Sequence, residues 1–274
     1  MKHEFQSYYL DSPLICGRVF DLFLPETATQ DTALFFVHGG GWNAGSRTGF
    51  HQIMEKYNEL GYICASTDYR LPGPVRFSDS PGVTAFDQLQ DIRESYDRFV
   101  SLLKTMGRPL KIAVFGTSAG AHLASLLLCA APGECGEHCE LRNEWVKPSC
   151  GFLQSTPVVF EPWQDIFPQI WHAMQFFAAG CMYETNPKRF QALSLRSYIR
   201  RDNPPLLFLE AENEHMFPSS MTLELVREHN SLGIPSQWKV YKNAEHGFFY
   251  SLERPVQREV FDDIQRFIAG ESVN

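Results

Sequence analysis

Long hydrophobic runs are missing from this chain of 274 residues. No stretch reaches 18 consecutive apolar residues, so no membrane-spanning helix is expected. The opening residues Met1-Lys2-His3-Glu4-Phe5-Gln6-Ser7 lack the apolar core of a signal peptide, which makes a cytoplasmic protein the expectation. Basic charge is also scarce, with 24 Lys and Arg against 32 Asp and Glu and a formal net charge of −8. A nucleic-acid partner calls for a basic face, and an acidic balance argues against one. Repeats, low-complexity tracts and Ser/Gly linkers are absent as well, so one domain over residues 1–274 is expected.

Cysteine is present without forming a framework. Seven occur (Cys16, Cys64, Cys129, Cys135, Cys139, Cys150 and Cys181), and an odd number cannot all pair within one chain. Cys16, Cys64 and Cys129 lie in apolar stretches, where a thiol behaves as a small core residue. Cys135-Gly136-Glu137-His138-Cys139 is the one cluster that suggests a metal or a bridge. It has no second ligand pair at zinc-finger spacing, so a reduced or locally bridged loop is expected, with no metal and no cofactor.

What the chain does have is an alternation of short apolar runs with longer helical patterns, and 44% hydrophobic residues to build a core. Val19 to Leu24 alternates weakly and stops at Pro25, as an edge or antiparallel strand would. Ala33 to Val37 and Tyr62 to Thr67 are continuously apolar or small, as in strands covered on both faces. Lys111 to Phe115, Phe152 to Gln154, Leu206 to Leu209 and Gln237 to Tyr241 continue the series. Between them fall helical patterns at about Phe50 to Leu60, Phe86 to Leu103, Ala119 to Ala130, Pro218 to Leu232 and Pro255 to Ala269. Strands alternating with helices imply an α/β fold, a mostly parallel sheet with helices on both faces. Ligands in such sheets sit beyond the carboxyl ends of the strands.

Two glycine-rich segments fall at such ends. Gly116-Thr117-Ser118-Ala119-Gly120 fits G-x-S-x-G between an apolar strand and an Ala/Leu-rich helix. A strand-to-helix turn that tight needs small neighbours, and it lifts the serine hydroxyl clear of the sheet as a nucleophile. His38-Gly39-Gly40-Gly41-Trp42 follows the Ala33–Val37 strand, and its uncovered backbone can aim N–H groups at a developing oxyanion. It lacks the Lys-Ser/Thr ending and the glycine spacing of phosphate-binding loops.

A serine nucleophile needs a base and the base needs a carboxylate. Among nine histidines, His246 in Ala244-Glu245-His246-Gly247-Phe248 is best placed, between the last strand and the last helix. His38 is expected to brace its own loop and His122 to pack within the nucleophile helix. His3, His51, His138, His172, His215 and His229 have no motif around them. The order Ser…acid…His restricts the acid to the segment between Ser118 and His246. There Glu214, just before Met216-Phe217-Pro218, is preferred, with Glu212 as the rival and Glu210 close to the strand.

These segments together resemble the α/β-hydrolase superfamily, in its H-G-G-G-containing bacterial esterase branch. That branch includes hormone-sensitive-lipase-like carboxylesterases and acetyl-xylan and feruloyl esterases. The resemblance rests on His38–Trp42, Asp68-Tyr69-Arg70-Leu71, Gly116–Ala124, Pro204-Pro205-Leu206-Leu207 and Glu245–Phe248. It implies the α/β-hydrolase fold, with Gly40, Gly41 and Ala119 as oxyanion donors and the triad acid at Glu214, where members more often carry Asp in G-x-x-D. This chain departs there by lacking the glycine and using the longer acid. It departs again after Leu71, where Pro72-Gly73-Pro74 replaces Ala-Pro-Glu. Asp68, Tyr69, Arg70 and Asp91 are expected to organise that loop.

The stretch at about 131–203 fits the family poorly and reads as a small helical cap. Its aromatics Phe160, Trp163, Phe167, Trp171, Phe176, Phe177 and Tyr183 either glue the cap down or wall a pocket, and Trp42, Trp163, Phe167 and Trp171 are the candidate pocket residues. The expected activity is hydrolysis of small-molecule carboxylic esters with short-chain or aromatic (acetyl or feruloyl-like) groups through an acyl-enzyme. Two other readings stay open: an arylformamidase-like amide hydrolase, because Ser118–Ala124 resembles that branch too, and a non-catalytic binding protein that kept the fold.

Overall fold

The computed structural model describes residues 4–11, 17–73 and 82–273. His3, Cys16 and Pro74 lie outside them. Eight strands form one sheet: β1 (Phe5–Tyr9), β2 (Val19–Phe23), β3 (Thr32–Val37), β4 (Cys64–Thr67), β5 (Lys111–Thr117), β6 (Cys150–Gln154), β7 (Leu206–Asn213) and β8 (Gln237–Glu245). Their order is β1-β2-β4-β3-β5-β6-β7-β8. β2 runs antiparallel to both β1 and β4, and every pairing from β4 through to β8 is parallel.

Alternation within the strands explains why helices cover both faces. Leu34 and Phe36 of β3 point to one side, where they join Ile53, Met54 and Tyr57 of α1 (His51–Glu59) and Val260, Ile264 and Phe267 of α7 (Pro255–Ile268). Phe35 and Val37 point to the other. There they join Leu89, Ile92, Tyr96 and Phe99 of α2 (Ala85–Thr105), Leu123 and Leu127 of α3 (Ala119–Cys129), and Leu225 of α6 (Ser219–Ser231). A strand buried on both faces needs no polar side, which is why β3 reads as an unbroken apolar run.

The chain leaves β3 for β4 on one side, then returns through α2 to β5 on the other side of β3. The carboxyl ends of β3 and β5 therefore diverge at a switch point, the crevice where open parallel sheets bind ligands. Both glycine-rich segments start there.

Two differences from the sequence reading have simple causes. β1 has a mostly exposed, aromatic-polar composition with little periodic signal, and it is held at the sheet edge by Ser7 Oγ donating to the buried Asp21 at 2.6 Å. β2 is consequently covered rather than an edge, although antiparallel as expected. The interval 131–203 is not uniform either. Cys150–Gln154 within it is a central strand, and the helices are confined to α4 (Pro168–Ala173), a π-turn at Met174–Ala179, α5 (Pro187–Leu193) and a 3-10 turn at Leu195–Tyr198. Among the described residues no helix is long and apolar enough to cross a membrane.

The loop preceding β6 is fixed by a wholly buried ion pair. Arg93 Nε of α2 donates to Glu137 Oε1 at 2.6 Å, and Arg93 Nη2 reaches the carbonyls of Ala130 and Ala131 at 3.1 and 3.2 Å. Cys135 and Cys139 in this loop are free thiols, and His138 beside them is exposed. Removing one partner of such a pair leaves an uncompensated buried charge. Arg93→Ala is expected to lower unfolding stability by about 3–5 kcal/mol, read from urea denaturation at neutral pH.

Candidate active site

Ser118 sits between β5 and α3 with φ 53° and ψ −125°, a backbone conformation that non-glycine residues rarely adopt. Its flanking glycines are sterically forced. A Cβ on Gly116 would lie 2.6 Å from the Ala121 Cα, and one on Gly120 would lie 2.1 Å from the His38 carbonyl oxygen. The helix thus packs directly on the ends of β5 and β3. Ser118 N–H donates to the Gln154 carbonyl at 2.8 Å, extending the β5–β6 ladder into the turn.

His246, in the turn after β8, closes on this serine, with Nε2 2.9 Å from Ser118 Oγ. Its Nδ1 lies 2.8 Å from Glu214 Oε2. Glu214 follows β7 in a turn closed by its own N–H on the Ala211 carbonyl at 3.2 Å, and its Oε1 accepts from Met216 N–H at 2.8 Å. Burial pushes the Glu214 carboxyl up. The hydrogen bond and charge of His246, with the Met216 N–H and the Ser155 hydroxyl, outweigh that and hold it below the usual carboxylate range.

The three glutamates of this segment go to three places. Glu212 accepts from Asn243 N–H at 2.8 Å and braces the end of β8. Glu210 is buried on β7, with Oε1 2.8 Å from Thr222 Oγ1 of α6. Only Glu214 of the three meets His246. Burial, against the Thr222 hydrogen bond and reinforced by the charge of Glu214, pushes the Glu210 carboxyl up to about 8.

The Gly39–Gly41 turn runs beside Ser118, since a Cβ on Gly39 would lie 3.2 Å from Ser118 Cβ. Gly40 and Gly41 have φ of 124° and 59°, and a Cβ on Gly40 would strike the Ala44 carbonyl oxygen at 2.2 Å. His38 is buried, stacks on Tyr69 at 4.2 Å and places Nδ1 2.8 Å from the Gly39 carbonyl. Tyr69 OH donates to the His38 carbonyl at 2.8 Å. Asp68 accepts from Arg47 N–H at 2.6 Å, and Arg70 pairs with the buried Asp91 at 2.8 Å. These residues shape the loops around the crevice.

The aromatic candidates separate. Trp42 is 2% exposed, its ring edge-on to Phe160 at 5.6 Å, so it is core rather than an open pocket wall. Trp171 packs on Phe190 at 5.6 Å and Tyr183 at 5.7 Å, inside the helical segment. Phe167 is exposed at the start of α4. Trp163 alone approaches the site, through Phe217, whose ring lies 6.3 Å from Trp163 and 5.8 Å from His246. Phe217 and Ser155 were not anticipated. Phe217 follows Glu214 by three residues, a proximity visible in the chain. Ser155 carries no motif and is recognisable only from its fold position after β6, with φ 51° and Gly247 N–H donating to its Oγ at 3.4 Å.

The BD-FAE family matches residues 20–228 of this chain. Esterase LipQ of Mycobacterium tuberculosis is 27% identical over 224 residues, which is 78% of this chain and 50% of that protein. LipM of the same species, a probable carboxylic ester hydrolase, is 28% identical over 207 residues, 72% of this chain and 44% of its own. The chain spans about half the length of the curated relatives it matches. Among solved structures, butyrate-bound esterase 2 of Thermogutta terrifontis has a TM-score of 0.73 at 18% identity, over 98% of this chain and 94% of that one. Esterase B of Lactobacillus rhamnosis has a TM-score of 0.76 at 18% identity, over 97% and 85%. These likenesses establish the α/β-hydrolase fold.

A neutral Glu210 has a consequence for stability. A carboxyl whose folded pKa lies above its unfolded value binds more protons in the native state, so stability falls as pH rises between the two values. Between about pH 4.5 and pH 8, wild-type stability is expected to fall relative to Glu210→Gln, which has no such proton. Urea midpoints of the two proteins at pH 5 and pH 8 check this, and parallel curves would count against a neutral Glu210.

Proposed function

The chain belongs to the BD-FAE family, and from that premise we propose that it is a serine carboxylic-ester hydrolase acting through an acyl-enzyme. The observation that carries the proposal is the continuous chain from Ser118 Oγ to His246 at 2.9 Å and from His246 to Glu214 at 2.8 Å, set on a strand-to-helix turn. Ser118 Oγ attacks the carbonyl carbon while His246 Nε2 takes its proton. Glu214 accepts from His246 Nδ1–H, which fixes the tautomer and stabilises the imidazolium. The N–H groups of Gly40, Gly41 and Ala119 stabilise the tetrahedral oxyanion, each worth about 2.7–4 kcal/mol. His246 returns the proton to the leaving alcohol, and water, deprotonated by the same imidazole, releases the acid.

Small-molecule esters with a short acyl group or an aromatic portion are the proposed substrates. Phe217 beside His246, with Trp163 packed behind it, supports an apolar wall there. Thermogutta esterase 2, of the same fold, is known with butyrate and with propionate bound. The helices within Pro168–Tyr198 serve as the cap of a single α/β-hydrolase domain.

Ser118→Ala is expected to lower the rate by roughly 10⁴-fold or more with circular dichroism unchanged. Glu214→Gln should cost about 10⁴-fold by leaving the wrong tautomer, whereas Glu212→Gln should stay within a few-fold of wild type. The assay pairs p-nitrophenyl acetate and butyrate with a feruloyl ester and N-formylkynurenine. Cleavage of N-formylkynurenine alone would transfer the reading to amide hydrolysis, and full activity in Ser118→Ala would remove the mechanism. A fluorophosphonate should label Ser118, as no non-catalytic binding protein would require.

A further inference from the structure

Three consecutive residues of the turn beside Ser118, Gly40, Gly41 and Trp42, have φ of 124°, 59° and 61°. For a bulky residue such as Trp42 the left-handed region is unfavourable, and the conformation persists only where surrounding groups over-determine it. Two hydrogen bonds at Trp42 do so. Its carbonyl accepts from Gln88 Nε2 of α2 at 2.7 Å, and its indole Nε1–H donates to His122 Nδ1 at 3.1 Å.

His122 stands one turn along α3 from the nucleophile, and its backbone N–H donates to the Ser118 carbonyl at 3.0 Å. An indole nitrogen can only donate, so His122 Nδ1 must be the unprotonated acceptor. The imidazole proton is then on Nε2, which donates to the Leu193 carbonyl at the end of α5, 2.7 Å away. The ring lies against Phe160 at 4.3 Å and edge-on to Trp42 at 5.6 Å, fully buried. One side chain therefore joins the glycine turn, the nucleophile helix and the helical segment that follows β6.

We propose that His122 is a positioning residue that locks the Gly40–Trp42 turn into its oxyanion-binding conformation, with the Leu193 carbonyl selecting the tautomer that Trp42 requires. The proposal rests on the ester-hydrolase reading given above. Leu193 enters because an imidazole without a partner for Nε2–H could place its proton on Nδ1, where it would face the indole N–H and release Trp42. Burial lowers the His122 pKa to about 4, against the Leu193 hydrogen bond, so the ring stays neutral at ordinary pH and keeps Nδ1 as an acceptor. The role differs from that of His246, which exchanges protons with the reacting groups.

The test compares His122→Phe, which keeps an aromatic ring against Phe160 but loses both hydrogen bonds, with Trp42→Phe, which loses only the indole donor. Rates are normalised to serines titrated by a fluorophosphonate, so that unfolded protein lowers the site count and not the rate per site. Each variant is expected to lose about 100-fold in kcat on p-nitrophenyl acetate, the order expected for small misplacement of catalytic donors, with KM changed less than about threefold. The double variant should be no slower than the slower single one, because both remove the same interaction. His122→Asn, whose Oδ1 can still accept from the indole, should recover about tenfold of the loss. The rate of fluorophosphonate labelling, which also develops charge on an oxygen in the donor cradle, should fall in parallel with kcat. Singles within threefold of wild type, or losses that multiply in the double variant, would overturn the positioning role. Should wild type label but cleave no ester, the ester reading fails alone, and the labelling rates still decide on His122. A wild-type protein that does neither overturns both.

Discussion

The backbone of Ser118 is the constraint on which the rest of the crevice depends. Its φ of 53° points the side chain away from the sheet, and a residue held there costs of order 1–3 kcal/mol that its surroundings must offset. The offset comes from close packing. Helix α3 lies so near the ends of β3 and β5 that Gly116 and Gly120 have no room for a Cβ. The same proximity carries the Gly39–Gly41 turn alongside the serine, so Ser118 and the glycine turn are positioned by one packing event. Around it, Tyr69 holds His38 and Asp68 holds Arg47, while Asp91 holds Arg70. These polar contacts keep the loops at the carboxyl edge in register with the helices below.

Electrostatics then divides roles among carboxylates that are near neighbours in sequence. Glu210, Glu212 and Glu214 are two residues apart, so a regular pleat would put them on one face. The register shift between Ala211 and Asn213 and the turn that follows β7 send them to different surroundings instead. The inward one meets Thr222 and little else polar, and burial keeps it neutral. Glu212 remains near solvent and caps a backbone N–H. Glu214, one step past the strand, meets an imidazole and a backbone donor, which favour its charged form despite burial. A neutral carboxyl at Glu210 also spares Glu214 a second negative charge behind it, which would raise its pKa.

Much of this was legible in the sequence, and the limits have physical causes. β3 and β5 were readable because strands buried on both faces carry no polar alternation, and the tight turn at Ser118 because only glycine fits on its flanks. Glu214 was preferred over Glu212 from its place just before Met216-Phe217-Pro218 and the next helix, and the register shift between Ala211 and Asn213 accounts for the divergence of the two. β1 was not readable, since an edge strand with exposed residues has neither period nor hydrophobic run. The strand at Phe152–Gln154 was legible as an apolar run, and β6 extends it to Cys150, inside the interval that also holds the cap helices. Trp42 was expected to face a pocket. It is buried instead, packed on Phe160 and hydrogen-bonded to His122, 80 residues away in sequence, contacts that no local pattern encodes.

The glutamate at position 214 is held by an irregular strand end and by several hydrogen-bond donors. Glutamate has one more rotatable bond than aspartate, so its carboxylate needs more anchoring to hold the same place. The register between β7 and β8 shifts between Ala211 and Asn213, and such an irregularity re-aims the residues that follow it. The Met216 N–H then takes one carboxylate oxygen and His246 the other, while the Ser155 hydroxyl adds a third donor to the charged form. Ser155 pairs with Leu209 through its backbone and receives Gly247 N–H at its hydroxyl, so it ties the end of β6 to both the acid turn and the histidine turn. An aspartate at this position would have a shorter reach from the same backbone, and the bulge and the three donors would no longer converge on it. The longer side chain at Glu214 and the irregular end of β7 together bring the carboxylate to its three donors.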